Sequence, residues 1–368
     1  MKIGTITFHC AYNYGSVLQS FALKTYLERL GNTVSVIDYR SPNFDQYKLF
    51  HPTNLRHLCS DILFFPRNIR RKHAFESFQR RHLNLTRRYE GPNAEQELSR
   101  DSNEFDAVIC GSDQIWNLDC TQGLDGCYFL RFAPDSVRKI AYAPSLSQAQ
   151  FQPRFFDEKT RNELGRLLDR FHAISVREQS TVPVYQQLTD KPIQVAIDPT
   201  LLLDASVYRN IESKLPKPVC NAGFIFAYTL WPNKKMIDYV DRLAQKEGLT
   251  IVYSSKIPIR YRSRAINCYG MSPELFLALI DKARYVISNS FHATVFSVLF
   301  HKAFLTFGKD RSTSRMSDLL SRLEIEDHIV RDDYDGDMVP AGADYAAVDG
   351  LLDRMRQDSE QFLKNALA

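Results

Sequence analysis

The chain has few cysteines and no pattern among them: seven in 368 residues, an odd number, with no C-x-x-C pair. Cys120 and Cys127 are the closest two, and no histidine stands near them at a zinc-finger spacing. This excludes a disulfide framework and a cysteine-based zinc site, and it predicts reduced thiols in a cytoplasmic protein. No apolar run reaches the length of a membrane span, and the opening MKIGTITF enters a strand with no secretory pattern. No G-x-G-x-x-G follows the first strand and no G-x-x-x-x-G-K-[ST] occurs, so dinucleotide and P-loop assignments lack their motifs. No aspartate-rich or histidine-rich cluster calls for a metal. The net charge of +4 is small for this length and does not point to nucleic acid.

One further absence is local. Between Asp281 and Asp310 there is no carboxylate, whereas Lys282, Arg284, Lys302 and Lys309 are cationic. Within this span Ile287-Ser288-Asn289-Ser290-Phe291-His292-Ala293-Thr294 joins a buried strand, ending near Ser288, to an apolar helix beginning near Thr294. Small polar residues at such a junction leave backbone N–H groups to face a ligand, and the helix dipole favours an anion. With His292 on the same turn, the pattern predicts a site for a small, highly charged anion.

What is present is an alternation of short apolar strands with amphipathic helices, the pattern of parallel α/β architecture. Strands are expected at 3–8, 34–39, 106–110, 139–143, 173–176 and 193–197, then at 223–228, 250–253, 285–287 and 303–307. Helices are expected at 16–30, 70–82, 159–170, 234–247, 273–282 and 346–365. A hinge from Asp198 to about Lys217 separates the two series. The simplest architecture is two Rossmann-like domains facing across a cleft: residues 1–205 on the acceptor side and 206–345 on the donor side. A C-terminal helix, 346–368, is expected to pack back on the first domain. Ligands of such sheets bind beyond the carboxyl ends of the strands.

Residues 47–88 carry ten Lys/Arg against Asp61 and Glu76, a net of +8 that leaves about −4 for the rest of the chain. A helical insertion over about 47–90 with a solvated basic face explains this. So does a surface for anionic lipid or a diphosphate-linked acceptor, a peripheral contact with the inner face of the cell membrane.

Three more strand ends carry candidate chemistry. In His9–Gln19, Asn13 caps the next helix and Gly15 permits close backbone approach; acceptor binding by Asn13, Tyr14 and Gly15 is the functional alternative. After the run 106–110, Asp113 is expected to be partly desolvated and placed for proton transfer, and Trp116 to offer a plate for a sugar ring. An N-cap role for Asp113 and a core position for Trp116 are the plainer readings. Arg177 has the planar fork that fits a carboxylate or phosphate; a local pair with Glu178 is the weaker option, since sequence neighbours rarely meet well. The loop after Phe307 adds Lys309, Arg311 and Arg315 among hydroxyl side chains, a pattern that suits a phosphate but also an ordinary solvated loop.

Taken in order, NYGSVLQSFAL, FDAVICGSDQIWN, IAYAPS, FHAISVRE, AIDPTLLL and ISNSFHATVFSVLFHKAF resemble the polysaccharide pyruvyl transferase family from residue 1 to about 325. The resemblance implies a GT-B-like pair of Rossmann-type domains. It also implies phosphoenolpyruvate as donor, with no further cofactor, and a pyruvate ketal on a sugar of a surface polysaccharide or its lipid-linked precursor. His292 matches the family's active-site histidine, Arg177 its donor-gripping arginine, and Asp113 the carboxylate near the acceptor. Ser288, Asn289, Ser290, Lys309 and Arg315 fall on the donor side; Asn13, Tyr14, Gly15 and Trp116 on the acceptor side. Two departures stand out: some branches have arginine where this chain has Ser290, and glycine is usual where it has Ala293. Lys309 or Arg315 is expected to supply the missing charge. Ala293 is tolerable only if its φ is negative. A nucleotide-sugar glycosyltransferase of the same fold and a non-catalytic glycan-binding homologue are the competing readings. The first normally places a carboxylate after the donor loop, which the acid-free span lacks.

Overall fold

A computed structural model describes residues 1–43, 62–147, 151–220, 223–308, 313–331 and 338–368. They form two compact units. The first comprises the described residues within Met1–Tyr47, Gln79–Leu203 and Leu352–Ala368, the second those within Lys48–Phe78 and Asp204–Leu351.

The first unit holds a seven-stranded sheet: β1 (Lys2–Ile6), β2 (Thr33–Arg40), β3 (Leu85–Glu90), β4 (Ala107–Cys110), β5 (Arg138–Ala141), β6 (Ala173–Val176) and β7 (Ile193–Val195). Their spatial order is β3-β2-β1-β4-β5-β6-β7, and every pairing is parallel. The second unit holds six: β8 (Phe224–Tyr228), β9 (Thr250–Ser254), β10 (Ala265–Asn267), β11 (Tyr285–Ser288), β12 (Ala303–Phe307) and β13 (Ile329–Val330). Their order is β10-β9-β8-β11-β12-β13, again parallel throughout. The architecture is thus α/β with two Rossmann-like sheets.

Parallel sheets covered by helices on both faces need strands that are apolar on both sides, and the central ones comply. Every residue of β4 (AVIC), β8 (FIFAY) and β11 (YVIS) is buried. Helix ends follow local chemistry. Asn233 accepts from the Met236 amide to start Lys234–Glu247, and Gly248, at φ 66°, ends it in the left-handed region. Ser272 caps Pro273–Lys282, where proline opens the helix and Glu274 meets its positive end.

The order of strands locates the sites. In the first sheet the chain runs outward from β1 through β2 to β3, then returns to the other side of β1 as β4. The loops leaving β1 and β4 therefore diverge at a switch point. In the second sheet the equivalent pair is β8 and β11. Ligand sites of open α/β sheets form at such points.

The last helix, Tyr345–Leu367, completes the first unit through its part from Leu352 onward. Ser359 Oγ accepts from the Ile197 amide at 3.0 Å, Arg356 Nε donates to the Leu201 carbonyl at 2.9 Å, and Phe362 meets the Tyr142 ring at 6.3 Å. Replacing Ser359, which is 1% exposed, by valine keeps the volume but leaves the buried Ile197 amide without that acceptor. A loss of about 1–3 kcal/mol is expected, read as a lower urea midpoint. An unchanged midpoint would show that the helix does not brace this unit through Ser359.

Candidate active-site loops

In the first unit, the loop after β1 leads into the helix Tyr14–Arg29. Asn13 Oδ1 accepts from the Gly15 amide at 3.0 Å, so Asn13 acts as the cap; Tyr14 and Gly15, in the first turn, are buried. Gln19 is fully buried and ties three segments together. Its Nε2 donates to Thr7 Oγ1 (2.8 Å) and the Ser16 carbonyl (2.9 Å), and its Oε1 accepts from the Ser112 amide (3.0 Å).

The loop after β4 turns sharply. Gly111 has φ 118°, and a Cβ there would lie 2.0 Å from the Tyr142 carbonyl oxygen, so only glycine fits. Asp113 follows at φ 69°, a left-handed conformation that aspartate tolerates better than most residues. Its carboxylate accepts from Ser16 Oγ at 2.5 Å and from the Gln114 amide at 2.9 Å, and its own carbonyl accepts from the Ser145 amide at 2.8 Å. Asp113 thus stands at the switch point, held by the first turn of the neighbouring helix.

Trp116 does not face a ligand. It is 0% exposed, stacked on Phe129 at 4.8 Å and enclosed by Phe171 and Tyr185, while its Nε1 donates to the Tyr128 carbonyl at 3.0 Å. The acceptor plate expected from it is corrected to a core residue, because its ring has no face left to present.

Arg177, at the end of β6, is 4% exposed. Its Nε donates to Glu178 Oε1 at 3.0 Å and its Nη1 to Asp198 Oδ2 at 2.7 Å. The neighbours Arg177 and Glu178 do meet, contrary to expectation, because the strand ends at Val176 and its alternation with it. Ser145 Oγ also donates to Glu178, at 2.7 Å. Burial pulls the guanidinium pKa down, but the carboxylates of Glu178, Asp198 and Asp113 outweigh it and hold it above its ordinary value. Any anion that Arg177 grips is therefore met with those carboxylates in place.

A second network, centred on the buried Asp38, was passed over in the sequence reading. His9 Nε2 lies 3.0 Å from Asp38 Oδ1, Arg40 Nε donates to the same oxygen at 2.6 Å, and Arg88 Nε to Oδ2 at 3.3 Å. Burial raises the Asp38 pKa, but His9 and Arg40 override it and hold the carboxyl below the usual range.

In the second unit, β11 ends at Ser288 and the helix Phe291–Leu299 follows at once. Ser288 Oγ donates to the Tyr228 carbonyl (2.7 Å) and accepts from the Ser290 amide (3.0 Å). Asn289 bridges to the loop after β8, accepting from the Leu230 amide (2.7 Å) and donating to the Trp231 carbonyl (3.0 Å). Ser290 caps the helix, accepting from the Ala293 amide at 3.5 Å. These bonds make Ser288, Asn289 and Ser290 shape the turn, and the donor-binding role expected of them is a matter for the proposed function. Ala293 is helical and outside the left-handed region, so its extra methyl causes no backbone strain.

His292 is 7% exposed, on the first turn of that helix, with its ring edge-on to Phe291 at 5.1 Å. No acidic residue occupies this first turn. Arg315 places its guanidinium carbon 5.7 Å from the Phe291 ring, bringing one expected cation to the histidine's neighbour. Lys309 lies outside the described residues. Trp231, in the loop after β8, is a further residue at this turn that sequence reading did not single out. Its buried indole N–H has no hydrogen-bond partner among the described residues, and its backbone is tied to Asn289. The signal was its position in the short loop that leaves a strand, three residues after Tyr228. Among the described residues no group of three His, Cys, Asp or Glu could hold a metal.

Two outcomes are expected. Trp116→Ala should cost about 3–5 kcal/mol of stability through the cavity it leaves, measured by denaturant unfolding; weakened glycan binding in a fully stable protein would restore the plate. Asp38 has a folded pKa below its unfolded value of about 3.9. Its stabilisation is complete above that value and is lost as pH falls through the folded pKa. Acid unfolding followed below pH 4 should be less steep in Asp38→Asn than in the wild type; equal steepness would place the acid sensitivity elsewhere.

Solved structures bear a remote likeness to the chain. A UDP-GlcNAc 2-epimerase from Neisseria meningitidis bound to UDP-GlcNAc is 12% identical with a TM-score of 0.49, over 100% of this chain and 94% of that one. The S. aureus MnaA–UDP co-structure is 14% identical at 0.49, over 97% and 90%. The E. coli heptosyltransferase WaaC with ADP-2-deoxy-2-fluoro heptose is 12% identical at 0.41, over 83% and 88%. Likeness at this level bears on neither activity nor ligand. No curated protein matches the sequence. The model of the polysaccharide pyruvyl transferase family matches residues 13–311, most of the chain, and the protein belongs to that family.

Proposed function

We propose that the protein transfers the pyruvyl group of phosphoenolpyruvate to two hydroxyls of one sugar in a surface polysaccharide or its lipid-linked precursor, forming a ketal. The observation that carries this reading is His292 in the first turn of a buried helix, within a span from Lys282 to Lys309 that contains no carboxylate. Phosphoenolpyruvate bears a carboxylate and a phosphate, so it favours a helix start and fixed cations and is repelled by acids.

The chemistry balances without a redox partner. A proton adds to the methylene carbon and positive charge develops at the carbon bearing phosphate. One sugar hydroxyl attacks that carbon and gives up its proton, and the C–O bond to phosphate breaks. The second hydroxyl then closes the ring, losing its own proton. His292 fits the proton donor or the phosphate ligand. Asp113 fits the base for a hydroxyl, with Ser16 orienting its carboxylate. Family resemblance assigns Arg177 to the donor anion, a role its ion pairs with Glu178 and Asp198 oppose, and Arg315 supplies the charge that Ser290 does not. Trp231 replaces Trp116 as the indole available for substrate. A reaction that draws on phosphoenolpyruvate implies a cytoplasmic enzyme.

Thermal unfolding with millimolar phosphoenolpyruvate tests this. A ligand at 100 times its Kd stabilises the folded state by about 2.7 kcal/mol, a rise of several degrees for a chain of this size. That rise should vanish in His292→Ala, and His292→Gln should keep part of it if the side chain only binds phosphate. A rise with UDP- or GDP-sugars alone would replace the reading with a nucleotide-sugar transferase.

A further inference from the structure

Two surface segments of the second unit expose apolar side chains together. Ile62, Leu63 and Phe65, at the start of the helix Phe65–His82, are 61, 74 and 36% exposed, and Ile257, in the loop after β9, is 65% exposed. Four of the seven large apolar side chains exposed among the described residues therefore fall here. The segments are joined through Phe64, whose ring lies 5.9 Å from Lys256 Nζ and 5.8 Å from the Arg67 guanidinium carbon. The helix start is fixed rather than loose. Tyr269 Oη donates to Asn68 Oδ1 at 3.1 Å, and the Arg71 guanidinium lies 5.7 Å from the Tyr269 ring.

The two segments are themselves basic, with carboxylates only at their margins, where Glu76 lies 3.8 Å from Lys72 and Asp241 accepts from the Arg262 and Ser263 amides. Residues 62–75 and 255–267 contain eight Lys/Arg and no Asp or Glu. An apolar tip with a basic collar is the surface chemistry of a protein that rests on an anionic bilayer. Among the described residues no helix is long and apolar enough to cross a membrane.

We propose that this face docks on anionic lipid: Ile62, Leu63, Phe65 and Ile257 enter the headgroup boundary, while Arg67, Arg70, Lys256 and Arg260 meet lipid phosphates. A nucleic acid or an acidic glycan would satisfy the cations but offers no apolar phase for four such side chains. A second copy of the chain would bring Arg67, Arg70, Lys256 and Arg260 against the same cations of its partner. Only a bilayer answers both features.

The test is co-sedimentation of the full chain with vesicles of phosphatidylcholine alone and of phosphatidylcholine with phosphatidylglycerol. Neither donor nor acceptor is used, so the result is separate from that for pyruvyl transfer. Binding to the anionic vesicles is expected, weakening as salt rises from 0.1 to 1 M. It should fall at least tenfold in Leu63→Ser/Ile257→Ser and in Arg67→Glu/Arg260→Glu, both on exposed positions, with melting temperatures checked. Ile257→Ser alone, on a surface loop, should reproduce part of the loss and guards against a misfolded double variant. Binding unchanged in both serine variants would overturn insertion in favour of a purely electrostatic surface. Equal binding to neutral vesicles, or none to either, would overturn the proposal outright.

Discussion

The first unit's chemistry depends on one buried amide. Gln19 has no solvent to fall back on, and each polar atom of its side chain is used: Nε2 on Thr7 and the Ser16 carbonyl, Oε1 on the Ser112 amide. It joins the end of β1, the first turn of the next helix and the start of the β4 loop. Leaving any of these partners unmatched in the interior costs about 1–3 kcal/mol. An apolar side chain of equal length could not replace it. Because Gln19 brings Ser112 against the helix, Ser16 comes within reach of the next residue's carboxylate, and Asp113 acquires a fixed direction. A carboxylate on a free loop would present itself in many directions; this one is presented in one.

The second unit reaches the same end by a different route. Three consecutive small polar side chains, Ser288, Asn289 and Ser290, consume one another's and the neighbouring loop's backbone groups. Small polar residues at a strand end can also bind anions, and their sequence does not separate the two roles. What the sequence could not show is that the β8 loop passes beside them and takes their hydrogen bonds. The same blindness to tertiary neighbours explains the misplaced tryptophan. Trp116 and Trp231 both follow strands, and only packing distinguishes the one enclosed by Phe129, Phe171 and Tyr185 from the one in the loop after β8.

The sheets were legible wherever burial is two-sided. Central strands are apolar throughout, and Ala173–Val176 and Ala303–Phe307 fall where their patterns put them. The strands that escaped are β3, β10 and β13, and all three lie at sheet edges. An edge strand has fewer neighbours to satisfy, so LTRRYE can carry two arginines and a glutamate and still pair, while AIN and IV are too short to form a pattern. The loss of signal follows from the position in the sheet.

The two departures from the family pattern differ in consequence, and local geometry separates them. Ala293 is inside the helix and outside the left-handed region, so glycine's freedom is not needed there and the exchange adds no backbone strain. Ser290 is not silent, because it is the helix cap. An arginine at this position, as in some branches of the family, has no acceptor for the Ala293 amide and gives up a contribution of about 1 kcal/mol to the helix start. It brings in return a fixed positive charge two residues before the histidine. This chain has the opposite arrangement: a better-formed helix start and less charge on the turn itself. Under the proposed reaction the deficit has to be met from outside the turn, and Arg315, 5.7 Å from the Phe291 ring, is the cation that this reading assigns to it.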